Sequence, residues 1–585
     1  MKVYSQKPSV SLSQTTRLVI AIIFFSVLLC FLTWQLLSHL NNLGRGDWDQ
    51  FYYYSEVPQI TLFKYHQFPF WNPYSCGGMP MLANPQSRFL SPSIIFTSIF
   101  GVVAGLKLEI FFCLLFGMLG MYFLADHLKI KWPTVFVPGI IFGLNGTFAL
   151  HLTEGQFHVL PAVYFPYVFL FFLKSFEKKR FVILSSLFMG LSFLEGGTYV
   201  TLFFLIFILL FSILKSFEIK TFKPIGLYFI FLLSAILWAA PKAFPAIEYL
   251  TLHPRPTDPG GYIPLLLLKN IFLSQHQGMF GVNIPSFSSN IGWWEVGAYL
   301  GVVSIGLYFL SFFLILDNYP ILLAGLACLV IGMGNFSSFS FWHLLHQIPP
   351  FSSMYVPTRI FIVFIFSLAL MSGLALDKIS QNWKQRNVII LFIIILLSID
   401  LLTVGRNIFS QAIRPYTIDN KHQISLFQPS LSDFKNFRQT YVPNKDWFQY
   451  GAWSTLHRSL LNNEGVINAY ESIPVKNEAI PFNVSWYNGE FYLKDPGIIK
   501  LLQWSPNKIK FFIYTSVENT IIVNQNFDHN WQASIPFKTN STNGLLSVTL
   551  PPMKGKILLS YSPASFYLGL FCFFVMFLLC FYLYL

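Results

Sequence analysis

The chain has 585 residues, 54% of them hydrophobic and only 11% charged, with a mean hydropathy of +0.56. That composition excludes a soluble globular protein and a disordered one, and it points to a polytopic membrane protein. A net charge of +13 would suit nucleic acid, but Lys and Arg fall in short clusters between apolar runs, the pattern of loops that face the cytoplasm rather than of a nucleic-acid face.

Lys2, Lys7 and Arg17 precede the first apolar run, 18–40. The run is too long for a signal peptide and no small-x-small site follows it, so it reads as a retained helix with its N-terminus cytoplasmic. The loop 41–93 then lies outside. It is aromatic and punctuated by Pro and Gly, which predicts an ordered, functional loop. The stretch 93–105 is too short to span and predicts a re-entrant or interfacial helix. Further spans are predicted over 107–126, 133–150, 159–173, 181–194, 198–214, 225–247, 296–316, 320–334, 359–376, 388–404 and 566–585. With the first run, this makes a polytopic α-helical membrane protein of about twelve transmembrane helices.

Cations gather on the predicted inner side: Lys129 and Lys131, Lys174 to Arg180, Lys215 to Lys223, and Lys378, Lys384 and Arg386. The outer turns 151–158, 195–197 and 335–358 carry none. Both termini are therefore expected inside, and the hydrophilic region 405–563 outside. Of the six cysteines, only Cys76 lies outside an apolar run, so no disulfide framework is expected.

The region 405–563 contains Trp447, Trp453, Trp486, Trp504 and Trp531. Strand-like runs occupy 509–514, 519–523, 545–550 and 557–561, and Asn543-Gly544 marks a turn. A small β-rich, sandwich-like domain is predicted here, with a mixed segment before it. The division is then a transmembrane domain over 1–404, an extracytoplasmic domain over 405–563 and a closing helix over 564–585. The tryptophans read as core rather than as sugar platforms.

Chemistry is expected at the outer ends of the spans. Asp47 and Asp49 follow the first span. Acids at a helix end are commonly solvated markers of the interface, but the long ordered loop behind these two favours a function. A carboxylate near the lipid boundary loses solvation, which raises its pKa and suits it to act as a base. His151, Glu154 and His158 crowd one outer turn. Their spacing matches no zinc motif, so they read as a sugar- or phosphate-binding rim and no metal is assigned. Glu195 is an acid between two apolar spans, where an unpaired charge is costly; it is expected to be functional or paired. Arg359 opens a span, either as a snorkelling interfacial residue or as a phosphate clamp for which its planar fork is suited. Arg255, in His253-Pro254-Arg255-Pro256, is a weaker candidate of the same kind. Trp71 and Asn72 complete the substrate-binding candidates. No P-loop, dinucleotide fingerprint or Cys-x-x-Cys is present.

Several pieces recur in a recognisable order: Gly46-Asp47-Trp48-Asp49, Phe68-Pro69-Phe70-Trp71-Asn72-Pro73, Gly77-Gly78-Met79-Pro80, Asn84-Pro85-Gln86, Ser91-Pro92, Glu195-Gly196-Gly197, Pro357-Thr358-Arg359, Asn530-Trp531-Gln532-Ala533, Leu550-Pro551 and Tyr561-Ser562-Pro563. With them the chain resembles the YfhO-like family of bacterial membrane proteins, within the wider GT-C glycosyltransferase fold. The resemblance implies an integral membrane transferase of the bacterial plasma membrane. Its partners would be a polyprenyl-phosphate sugar, a cell-envelope glycan or lipid acceptor, and membrane lipid, with no nucleic acid. It implies an essential acid in the first outer loop, which falls on Asp47, with Asp49 the second choice. The commoner Asp-Glu pair is here Asp-Trp-Asp, so both acids stay open as the base. The cofactor is left unspecified; a divalent cation and a lipid-linked sugar donor are both compatible. Two other readings compete, a transporter or flippase of a lipid-linked glycan and a non-catalytic envelope-assembly protein. A transporter needs polar residues near mid-span and repeats with broken helices. Here the polar groups sit at the outer ends, which favours the enzyme.

Overall fold

A computed structural model of the chain describes residues 13–278, 281–282, 291–417, 436–442 and 455–584. Lys2, Lys7, Trp447 and Trp453 lie outside the described residues. Among those described, ten helices are long and apolar enough to cross a membrane, and the shorter apolar helices Phe181–Leu194 and Tyr319–Gly332 stand where two more spans are expected. The chain is a polytopic membrane protein. Large apolar side chains such as Phe31, Leu233, Phe313, Phe392 and Phe571 point outward, as lipid-facing groups do. The stretch 93–105 contains the short helix Ile94–Phe100, too short to cross.

The helices are not equal. Thr134–Glu154 and Pro357–Asn382 are buried almost throughout, whereas Gln14–Leu32 and Ala564–Tyr584 are mostly exposed. The central helices therefore carry their ends, with Glu154 and Arg359, into the middle of one end of the bundle. The first helix stops earlier than its hydropathy implies. Thr33 turns its hydroxyl onto the Leu29 carbonyl at 2.8 Å, and the chain restarts as Trp34–Ser38. Buried Lys107 then donates to the carbonyls of His39, Leu40 and Asn42, in the turn just past that short helix.

The loop 41–93 holds more regular structure than its composition implies. Trp48–Gln59 is a helix with Pro58 inside it, and it continues as a wide π turn over Ile60–Lys64. Helical periodicity is hidden here because every side chain of the run Trp48-Asp49-Gln50-Phe51-Tyr52-Tyr53-Tyr54 is buried, so no polar face alternates with an apolar one.

Eight strands follow in the C-terminal region: β1 Phe491–Leu493, β2 Ile498–Ser505, β3 Lys508–Thr515, β4 Asn519–Asn526, β5 Trp531–Ala533, β6 Thr539–Thr542, β7 Leu545–Leu550 and β8 Met553–Tyr561. They form two antiparallel sheets, ordered β2-β3-β8-β5 and β6-β7-β4-β1. Ile509, Phe511, Ile513, Val523, Leu546, Val548, Ile557 and Leu559 make the core between them, with Phe511 meeting Phe491 across the sheets at 5.1 Å. This is the β-sandwich expected from the alternating runs. Asn543 and Gly544 both take positive φ, 51° and 82°, as a tight hairpin requires.

The sandwich does not hang free. Asn42–Gly44 pairs with Ile413–Thr417, and Ser75 bridges to Val466. Asn526 donates to the carbonyls of Cys76 and Gly78 at 2.6 and 2.8 Å. Glu471 accepts from Tyr54, Ser75 and Asn84. The loop 41–93 is thus the layer between helices and sandwich.

Candidate active site

The site begins where the loop 41–93 meets the central helix Gly146–Glu154. Gly155 ends Gly146–Glu154 in the left-handed conformation, φ +94°. A Cβ built on it would lie 2.2 Å from the Trp48 amide nitrogen. The Asp47 amide donates to the Glu154 carbonyl at 2.7 Å, and the Trp48 indole donates to the carbonyls of Leu152 and Thr153 at 3.1 Å each. The helix's last carbonyls, which would otherwise lack partners, are thus satisfied by the loop that carries Asp47. Gly155→Ala is expected to cost at least about 1–2 kcal/mol from the left-handed backbone alone, and more because the backbone of Trp48 cannot move aside. Thermal unfolding in detergent will show it as a lowered midpoint, and a midpoint equal to wild type would mean that this contact is not a close one.

A second pair completes the site. Glu295, on the short helix Trp293–Val296, takes a fork from Arg359: Nε to Oε2 at 2.8 Å and Nη2 to Oε1 at 2.6 Å. Thr358 donates to the Glu295 carbonyl at 2.5 Å, and the Gln156 side-chain amide donates to Oε1 at 3.1 Å. The guanidinium lies over the Tyr199 ring at 4.7 Å. Nη1 stays outside the fork.

These groups are within electrostatic reach of one another. Burial pushes the Asp47 carboxyl up to about 6; the negative charge of Glu295 adds to the rise, while Arg359 and a hydrogen bond with Gln156 oppose it. Asp47, Glu154, Glu295 and Arg359 each keep some exposure, the Arg359 and Glu295 side chains 13% and 11%. Behind them His151 holds Nδ1 on the Thr147 carbonyl at 3.0 Å, and its ring meets that of His158 at 6.0 Å. Five buried polar atoms lack a partner within the eight residues 151–158: His151 Nε2, Thr153 Oγ1, Glu154 Oε2, Gln156 Oε1 and His158 Nε2. Buried polar groups are nearly always satisfied, so such a concentration marks a place for a polar ligand or water.

The structure thus brings together Asp47, His151, Glu154, His158 and Arg359. It sends the other candidates elsewhere. Asp49 is 6% exposed and accepts from the backbone amides of Leu456 and His457, at 2.9 and 3.2 Å, at the start of the helix Thr455–Leu461. Burial pushes its carboxyl up to about 7, against the opposing pull of His457. The neighbouring His457 pairs with Glu56. Glu195 belongs to a buried ionic cluster with Arg88 and Glu109, and it also accepts from Ser91 and Tyr164 at 3.0 and 2.7 Å. Arg255 donates to the Ser472 carbonyl. Trp71 donates from its indole to Gln525 at 2.7 Å and packs against Trp531 and Tyr561. Asn72 donates to the Tyr53 hydroxyl. Trp71 joins the loop to the sandwich, whereas Asn72 ties the loop to itself through Tyr53 and the Tyr74 amide.

Glu109, Cys113 and Glu195 bring ligand atoms within 4.8 Å of one another. The Arg88 guanidinium already lies on both carboxylates, so the positive charge that such a set calls for is in place. Two residues of the Asp47 cluster escape the sequence analysis, Glu295 and Gln156. Glu295 carries the same signal as Arg359, a charge at the mouth of a span, here next to Trp293-Trp294.

No protein-family model matches the chain, and no curated protein matches it. Among solved structures, the crystal structure of the Archaeoglobus fulgidus oligosaccharyltransferase in the apo form aligns with a TM-score of 0.44 and 11% sequence identity, over 78% of this chain. The alignment covers 65% of that chain, just under two thirds of its length.

Proposed function

We propose that the chain is a membrane glycosyltransferase of the GT-C kind and a member of the YfhO-like family. In this reading it moves a sugar from a polyprenyl-phosphate-linked donor to a cell-envelope acceptor, on the outer face of a bacterial plasma membrane. The observation that carries it is Asp47: a half-buried carboxyl in the loop 41–93, pushed up to about 6 by burial and within electrostatic reach of the Arg359 guanidinium. Both termini are cytoplasmic in this reading, 405–563 is the extracytoplasmic domain, and 564–585 is the closing helix.

Asp47 is the base. It takes the proton from the acceptor hydroxyl, whose oxygen attacks the anomeric carbon. The polyprenyl phosphate leaves with the bonding electrons, and its negative charge is met by Nη1 of Arg359. Glu295 and Gln156 hold that guanidinium in orientation. His151, Glu154 and His158 offer their unpartnered atoms to sugar hydroxyls. Asp49 anchors the helix Thr455–Leu461 instead of reacting.

The test is turnover. Membranes carrying the chain receive a panel of polyprenyl-phosphate-linked hexoses and pentoses, and free polyprenyl phosphate is measured. Release above the level of membranes without the chain is expected. A base with pKa near 6 is active when deprotonated, so the rate is expected to be flat above about pH 7 and to fall about tenfold per unit well below pH 6. Absence of release with every donor, or a rate unchanged from pH 4 to 8, overturns the reading.

A further inference from the structure

The sandwich carries a charge pattern that catalysis at Asp47 does not use. Strands β2, β3, β5 and β8 hold Lys500, Lys508, Lys510, Lys554 and Lys556, and no Asp or Glu. The facing sheet, β1, β4, β6 and β7, holds no charged residue at all. Period-two alternation places the lysines on one face. In β3, Ile509, Phe511, Ile513 and Thr515 are buried, while Lys508, Lys510, Phe512 and Tyr514 turn outward. In β8, Lys554 and Lys556 turn outward beside them.

The register interleaves charge with rings. Phe512 is opposite Lys500 on β2 and Lys556 on β8, and Tyr514 is opposite Ile498 and Lys554. Directly opposed side chains lie roughly 5 Å apart at Cβ. Strand lysines usually guard a sheet edge against pairing. That duty explains only Lys500, because β3 and β8 are the interior strands of the order β2-β3-β8-β5. Among the described residues none of the five is in an ion pair. Cations crowded on one face repel, and an anion laid across them relieves the repulsion.

The geometry points to a docking surface for an anionic glycan, a polymer whose sugar rings stack on Phe512 and Tyr514 while its carboxylate or phosphate groups pair with the flanking lysines. Aromatic rings suit the apolar faces of sugars, and ammonium groups suit scattered anionic charges. The rows are long. Lys554 to Ser560 on β8 is roughly 20 Å at about 3.3 Å per residue, enough for several sugar units. After Tyr561 the strand leads into the membrane helix Ala564–Tyr584. Lys508 sits opposite Ser560 at that end, but Lys554 and Lys556 lie five or more residues before Tyr561, roughly 16 Å or more along the strand and beyond the screening length of about 10 Å. The row thus runs from the lipid end outward, which favours a polymer over a headgroup layer. The inference is independent of catalysis at Asp47 and rests only on the outward placement of the sandwich.

The test uses the full-length protein in nanodiscs of neutral lipid, with polygalacturonate, neutral dextran and polyglutamate as probes. Wild type is expected to bind polygalacturonate and not dextran, with affinity falling steeply as salt rises. Combined Lys508→Gln, Lys510→Gln, Lys554→Gln and Lys556→Gln is expected to weaken polygalacturonate at least about tenfold. Phe512→Ser is expected to weaken polygalacturonate severalfold while leaving polyglutamate unchanged, which separates stacking from charge. The substituted side chains face solvent, and an unchanged thermal midpoint checks the fold. Failure of wild type to bind polygalacturonate, equal binding by the lysine variant, or lysine-dependent binding of anionic-lipid vesicles without binding of the polymer overturns the proposal.

Discussion

Asp47→Asn is expected to lower sugar transfer by about 100- to 10,000-fold, the usual contribution of a positioned general base, with KM little changed. Asn has the shape of Asp and can still meet Gln156, and the main-chain bond from residue 47 to the Glu154 carbonyl does not involve the side chain. Only basicity is removed. Asp49→Asn is the matched control. Asp49 receives two amides of the helix Thr455–Leu461, Leu456 on one oxygen and His457 on the other; Asn keeps one of these acceptors and loses the second, a cost in stability that leaves the base at Asp47 untouched. That variant is expected to retain transfer near the wild-type rate. Asp49→Ala, by contrast, loses the cap, at about 0.5–2 kcal/mol, and lowers the thermal midpoint. Initial rates and melting curves for the three variants decide the matter. An active Asp47→Asn beside an inactive Asp49→Asn would move the base to Asp49.

Arg88→Met is expected to destabilise the protein by about 3–5 kcal/mol, the range for breaking a buried ionic cluster on one side. Arg88 is 6% exposed, Glu109 1% and Glu195 0%. Without the guanidinium, two carboxylates remain in the protein interior with no cation between them. The effect reaches the site as well. Arg88 lies over the Phe157 ring at 4.9 Å, and Phe157 meets Trp48 edge-on at 5.0 Å, next to Asp47. Replacing all three together, Arg88→Met with Glu109→Leu and Glu195→Met, is expected to recover much of the loss, because an apolar cluster of similar volume carries no desolvation cost. Melting in detergent reads both. A single variant that melts with wild type shows that the cluster holds nothing together; a triple variant no better than the single one shows that its hydrogen bonds from Ser91 and Tyr164 matter more than its charge.

The contrast between Asp47 and Asp49 shows where reading from sequence stops. Two residues apart, the two acids are alike in every local property. What separates them is a helix 407 positions later, whose first amides reach Asp49 and not Asp47. Glu195 is a similar case. Its cost in an apolar setting is legible, and the alternative of a paired role was open. Its partner Arg88 lies in a loop more than a hundred residues earlier, so the pairing is not visible from position. The aromatic loop around Trp71 and Asn72 suggests a place at the substrate. Gln525 and Trp531 turn Trp71 instead into a joint between loop and sandwich, and Tyr53 turns Asn72 into a brace within the loop.

The sequence by itself determined what depends on neighbours along the chain. Hydrocarbon-length runs define the spans, alternation defines β3, β4, β7 and β8, and Asn543-Gly544 defines a hairpin turn, because each follows from a period or a dihedral preference that a few residues carry. The tertiary structure alone decided which charges face one another. It set Glu295 under Arg359, brought both beside Asp47, and left Asp49 and Glu195 to hold the frame. Pairings of that kind are set by the packing of helices and loops far apart in the chain, and the energy of a buried charge depends on its partner and its exposure to solvent, neither of which is a local property.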